Sequence, residues 1–243
     1  MTQSILQPKA SQFLETVLKL RPQLAVFDCD GTLWSGDAGR DFFYWEIERG
    51  IVSRDVAEPM LGRYRQYEAG VVDELTMCGE MVTMNRGIAV DALYGAAEEF
   101  FHEVVASRIF AEMRELTHCM RDAGCELWAV SSTNNWVVEA GAEAFGIDRK
   151  RVLAASVSTE DGCATDRLER VPTDELKALA IREVIGRPVD GVFGNSVHDQ
   201  AMLEIARHPF CINPNPDLED VAKAKGWTIH WPEGSTGAAF RHD

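Results

Sequence analysis

Two aspartates end an apolar run in the stretch LAVFDCDGTLW, Leu24 to Trp34. An unpaired buried charge is costly, so carboxylates at the mouth of a buried strand point to chemistry that uses negative charge. Asp28 and Asp30, two residues apart, bring two carboxylates to one strand end. Three further polar signals follow in chain order. Ser131 and Ser132 close the apolar run ELWAVSS, Lys177 lies in a segment of helical period, and GNSVHD, residues 194–199, follows the run GVF. The acids can hold a hard divalent cation such as Mg²⁺, which takes oxygen ligands. A hydroxyl and an amine can hold phosphoryl oxygens.

These groups need a scaffold that brings distant segments to one rim. Apolar runs at 24–28, 126–132, 152–156, 191–195 and 210–213 read as strands, with another at 227–231. Between them, helical periodicity marks 108–121, 135–145, 174–185, 198–206 and 218–225, and Gly124, Gly146 and Gly226 stand where helix-ending glycines stand. An earlier helix is predicted over 11–20, capped by Ser11 and ended by Pro22. Strands alternating with helices predict an α/β, Rossmann-like parallel sheet with helices on both faces. Ligands then bind outside the carboxyl ends of the strands, where all four signals fall.

The gap between the first two strands is long. Residues 35–106 read as helical and carry 14 acidic residues, 6 arginines and no lysine. They are expected to form a helical cap domain inserted into a core made of 1–34 and 107–243.

The bulk numbers narrow the class. A chain of 243 residues, 46% hydrophobic and 26% charged, builds a globular core, and its net charge of −15 argues against nucleic acid and anionic membrane surfaces as partners. The first ten residues lack a basic region followed by an apolar run, and six scattered cysteines show no C-x-x-C spacing. The expectation is a cytoplasmic protein with reduced cysteines.

The order and spacing of the four signals resemble the haloacid dehalogenase superfamily, in its phosphoserine-phosphatase-like branch. DCDGT matches its D-x-D-x-T signature, LWAVSST its second motif, Lys177 in PTDELKALAIREVI its third, and FGNSVHDQAML its fourth. The resemblance covers most of the chain and implies a Mg²⁺-dependent phosphomonoester hydrolase. Asp28 is then the nucleophile that forms an aspartyl-phosphate, and Asp30 the general acid and base. Ser131 and Lys177 hold phosphoryl oxygens. Gly31, Ser132 and Asp37 belong to the substrate-binding set, and Asp28, Asp30, Asn195 and Asp199 to the metal set.

Two positions depart from the family pattern. Asn195 stands where an acid is usual, so Asp199 is expected to carry the acidic share of that metal contact. Asp37 stands where phosphoserine phosphatases place a glutamate, but no arginine lies between Arg65 and Arg86 to receive a substrate carboxylate. A small phosphorylated substrate, neutral or cationic beyond its phosphate, such as a phosphorylated amino alcohol, is therefore expected in place of phosphoserine. Duller uses compete for some of these residues: Ser131 could cap a helix, Lys177 could be solvated, and His198 reads as a neighbour without a role. A phosphotransferase, or a non-catalytic phospholigand-binding protein, is the alternative on the same fold.

Overall fold

The computed structural model describes residues 8–235. The first seven residues, within the stretch read for a leader, and the last eight lie outside the described residues. Seven strands form one sheet in the order β4-β3-β2-β1-β5-β6-β7. They are β1 (Leu24–Phe27), β2 (Glu126–Asn134), β3 (Val152–Glu160), β4 (Cys163–Arg170), β5 (Val189–Gly194), β6 (Ala206–Ile212) and β7 (Thr228–His230). All pairings are parallel except β3 with β4. Every residue of β1 is buried, as both faces of a covered parallel sheet require. On one face Phe27, Phe193 and Phe210 stack across β1, β5 and β6, with ring centroids 4.3 and 4.6 Å apart.

From β1 the chain builds outward through β2 and β3, then returns to β1's other side through β5, β6 and β7. The strand order therefore reverses at β1, and the crevice outside β1, β2 and β5 is where such sheets bind ligands.

Helices α1 (Pro8–Lys19), α6 (Ala111–Asp122), α7 (Asn135–Ala142), α8 (Glu175–Ala180), α9 (Gln200–Glu204) and α10 (Pro216–Lys225) accompany the sheet. The expected helix at 11–20 starts earlier, at Pro8, so Ser11 lies inside it and does not cap it. The expected helix over 174–185 is divided: α8 ends at Ala180 and a π-helical turn continues through Ile185 to Gly186, at φ 66°. The hairpin of β3 and β4 was not expected. Its outer strand is largely polar and half exposed, and so lacks the apolar run that marks the inner strands.

Four helices occupy most of 35–106: α2 (Ala38–Glu48), α3 (Arg54–Glu68), α4 (Glu74–Thr83) and α5 (Val90–Phe100). Phe43, Val52, Ala57, Tyr64, Val72, Met77 and Met84 form an apolar cluster belonging to this insert alone. Phe42, Trp45, Leu93 and Phe100 instead join the main core beneath the sheet. The β3–β4 hairpin also grips the insert. Gly87 and Val90 donate backbone bonds to Ala164 and Gly162, and Ala164 donates to Ile88, all within 2.9 Å. On α4 a Cβ at Gly79 would meet Leu168 of β4 at 3.1 Å, so the glycine lets helix and hairpin pack closely.

Candidate active site

The carboxylate of Asp28 projects just past β1, and its backbone amide donates to Phe193 of β5 at 2.8 Å. Its two oxygens are held separately. Lys177 of α8 donates to Oδ1 at 2.8 Å and the Thr32 hydroxyl to Oδ2 at 2.9 Å. Lys177 also donates to Asp199 Oδ1 at 2.5 Å, while Asp199 Oδ2 accepts the amides of Asn195 and Ser196. Asp28, Lys177 and Asp199 are 4%, 3% and 0% exposed. Burial, then the Asp199 charge, pushes the Asp28 carboxyl up to about 7, against the lowering effect of Lys177. The two aspartates hold the Lys177 ammonium above its ordinary range despite burial.

Asp30 is bonded on both oxygens. Oδ1 accepts from the Trp34 indole at 2.6 Å and the Ala38 amide at 2.7 Å, and Oδ2 from the Thr133 hydroxyl at 2.7 Å. Burial still raises its pKa above the ordinary 3.8, against the lowering effect of these three bonds. Ser131 sits where the register of β2 shifts against β3. That irregularity turns the strand out of the ladder. Ser131 does not cap α7; Asn134 does, accepting the Val137 amide at 3.0 Å. Gly31 adopts φ 75°, and a Cβ there would lie 1.9 Å from the Asn195 amide nitrogen. Its own amide donates to the Trp34 carbonyl at 2.7 Å. The glycine thus makes room for Asn195.

These groups border a cavity of about 450 Å³. Its floor holds Asp28, Asp30, Ser131, Ser132, Lys177 and Asn195. The opposite wall comes from the insert. Glu74, Met77, Cys78 and Met81 of α4 line it at helical spacing, joined by Tyr64 and Tyr67 of α3. Asp37 lies at the junction and caps α2, accepting the Arg40 amide at 2.8 Å. Burial, then the Asp30 charge, pushes Asp37 up to about 7. The Arg40 guanidinium turns to Asp41, and Asp37 has no ion-pair partner among the described residues.

The structure gives His198 a place that its sequence position did not suggest. It stands between Glu74 and Asp174, 2.8 Å from each, and Glu74 foremost raises its pKa to about 9. Thr32, Thr133 and Trp34, which orient the two aspartates, were also unmarked. For Thr32 the D-x-D-x-T spacing was the available signal; Trp34 and Thr133 carried none.

The donor chemistry fits a hard cation. Asp28 and Asp199 share the one ammonium of Lys177 in a buried place, leaving excess negative charge that a divalent ion would offset. Among the described residues, however, no three acidic, histidine or cysteine side chains converge as a metal cluster, and Asp30 is turned to Trp34, Ala38 and Thr133. The residues left for such an ion are Asp28, Asp199 and the amide of Asn195.

A family model described as haloacid dehalogenase-like hydrolase matches residues 25–204. A phosphoserine phosphatase of Mycobacterium tuberculosis is 25% identical over 84% of this chain and 69% of its own length. A histidinol-phosphatase of Neisseria meningitidis is 25% identical over 85% of this chain and 97% of its own. Among solved structures, a protein of unknown function from Bordetella pertussis superposes with a TM-score of 0.73 at 23% identity, covering 85% of this chain and 96% of that one.

Proposed function

The chain belongs to the haloacid dehalogenase-like hydrolase family, and on that premise we propose that it is a Mg²⁺-dependent phosphatase of a small phosphorylated amine. The observation that carries this reading is the buried Asp28–Lys177–Asp199 cluster, whose Asp28 and Lys177 line the cavity. In this reading the helical insert over 35–106 is a cap, and its α3 and α4 face the leaving group.

Asp28 attacks phosphorus in line with the ester oxygen. The P–O bond to the leaving group breaks as the carboxylate–phosphorus bond forms. Asp30, beside the cap junction, gives a proton to the departing alkoxide as general acid. It then takes a proton from the water that cleaves the acyl phosphate, releasing inorganic phosphate and restoring Asp28. Lys177 and Ser131 hold the non-bridging oxygens as charge shifts onto them. Asp28, Asp199 and the Asn195 amide are the residues that would hold Mg²⁺, which would supply positive charge beside the phosphoryl group. Hydrolysis of p-nitrophenyl phosphate with Mg²⁺, lost in EDTA, is the expected result. Equal turnover in both conditions removes the metal from the proposal.

The two metal-facing residues of the fourth motif should not contribute equally. Asp199 brings a full charge and Asn195 only a dipole. Asp199→Asn is expected to raise the Mg²⁺ concentration for half-maximal activity by more than about tenfold, and Asn195→Ala by less. Metal titration of activity ranks them, and the reverse order would make the amide the principal ligand.

The cap wall supports the choice of an amine. Asp37 is the carboxylate there without an ion-pair partner, and tyrosine and methionine side chains surround the space beside it. An ammonium group gains from both the charge and the aromatic faces. Histidinol, named in the Neisseria relative, is itself an amino alcohol. In a screen of phosphoethanolamine, histidinol phosphate, phosphoserine and glucose 6-phosphate, the two amino alcohol esters are expected to lead. Asp37→Asn should raise KM for the preferred ester about tenfold, a charge-assisted bond's worth, and leave p-nitrophenyl phosphate turnover nearly unchanged. Sugar or carboxylated esters at the head of the screen would overturn the amine assignment.

A further inference from the structure

Four side chains that this reaction does not use meet at the edge of the cavity. Glu74 opens α4, where the helix N-terminus favours a carboxylate. It accepts from the Thr173 hydroxyl at 2.8 Å and pairs with His198 Nε2 at 2.8 Å. The other ring nitrogen of His198 lies 2.8 Å from Asp174 Oδ1. Thr173 is buried and Glu74 nearly so, with its side chain 15% exposed. His198 and Asp174 are more open, with side chains 41% and 48% exposed, so the bond to Glu74 is the stronger of the two and the Asp174 contact is weakened by solvent.

The placement of the four along the chain gives the network its meaning. Thr173 and Asp174 immediately precede α8, the helix that carries Lys177. His198 shares a single turn with Asp199. Glu74 alone belongs to the insert. Asp174 also stands at φ 49°, ψ −128°, a strained conformation for a residue with a side chain. Such strain persists where the surroundings over-determine it, and here His198 holds the Asp174 carboxylate.

The geometry points to His198 as a positioning residue that ties the insert, through Glu74, to the segments presenting Lys177 and Asp199. The inference rests on the phosphatase reading for its consequence but not for its existence. With the insert seated, Glu74 and Asp174 fix the histidine from both sides, and the lysine and aspartate are set at their working distance. A ligand that keeps α4 away from the core undoes the arrangement. The network thereby links fit on the cap side to transition-state stabilisation on the phosphate side.

The test compares Glu74→Gln, His198→Ala, the double variant and His198→Arg, using p-nitrophenyl phosphate with Mg²⁺. Each single variant is expected to lose about tenfold in kcat with KM little changed, because the lost contact acts on the transition state. The double variant should be no worse than the poorer single one, since both break the same network. His198→Arg should recover most of the loss, because a guanidinium fork can reach both carboxylates. Multiplied losses in the double variant, an unchanged kcat, or a folded arginine variant without recovery would each overturn the assignment. Amide hydrogen exchange without substrate provides an arm free of activity: Glu74→Gln should speed exchange over residues 173–180 and 195–200. Unchanged exchange there sinks the positioning role whatever the turnover. A wild-type protein inert toward every phosphoester, with exchange still coupled, sinks the phosphatase reading alone.

Discussion

Asp28→Asn is expected to abolish phosphatase turnover, lowering the rate by roughly four to six orders of magnitude, as removal of a covalent nucleophile does in other hydrolases. The amide matches the carboxylate in shape but cannot form the acyl phosphate. Its oxygen can still accept from Thr32 or Lys177, which hold the present carboxylate at 2.9 and 2.8 Å. The substitution also removes one of two neighbouring acids, and the Asp199 charge is among the causes that push Asp28 up to about 7. The fold is therefore expected to survive, with Asp199 retaining the lysine. Thermal unfolding establishes the folded state, and single-turnover assays measure the chemical step. Rapid acid quench should trap phosphate on the wild-type chain and none on the variant. A folded Asp28→Asn protein turning over near the normal rate would remove the nucleophile from the mechanism.

The strand-end aspartates were legible because two patterns agree on them: a four-residue buried strand and a D-x-D spacing that a buried turn does not tolerate without partners. The parallel order was legible for a related reason, since inner strands buried on both faces must be apolar throughout. The β3–β4 hairpin was not, because β4 is half exposed and its pairing rests on backbone bonds that leave little mark on side-chain type. Asp37 was placed by its spacing from Asp28 and does line the cavity, but its second duty as the cap of α2 was unmarked. His198 shows the limit most clearly. Its partners Glu74 and Asp174 lie 124 and 24 residues away in sequence, and nothing local distinguishes it from a surface histidine. The absent arginine on α4 was readable in advance; the Glu74–Met77–Cys78–Met81 stripe that stands in its place emerges once the helix is oriented toward the cavity.

Lys177→Met is expected to damage both stability and rate. Methionine keeps the length and apolar stem of lysine but deletes the ammonium that the two buried aspartates share. Breaking a buried pair from one side leaves uncompensated charge, at a cost of about 3–5 kcal/mol. The pH dependence follows from the sign of each shift. Lys177 lowers the Asp28 pKa, so its loss drives that carboxyl further above the unfolded value of 3.8. A group whose pKa is raised by folding stabilises the native state at low pH and withdraws that contribution as pH rises. The variant should therefore come nearest to wild type at acid pH, and the gap should widen from about pH 4 through neutrality. Mg²⁺ should narrow the gap at neutral pH, because it supplies the missing positive charge to the same carboxylates. The acid limb of kcat/KM should also move upward, since Asp28 attacks only when ionised, and kcat should fall by about two to three orders of magnitude for the lost phosphoryl contact. Melting curves at pH 5 and pH 8, each with and without Mg²⁺, separate these effects. A deficit that is the same at both pH values and indifferent to the ion would mean that Lys177 acts through packing alone, and the charge balance assigned to Asp28 and Asp199 would fall with it.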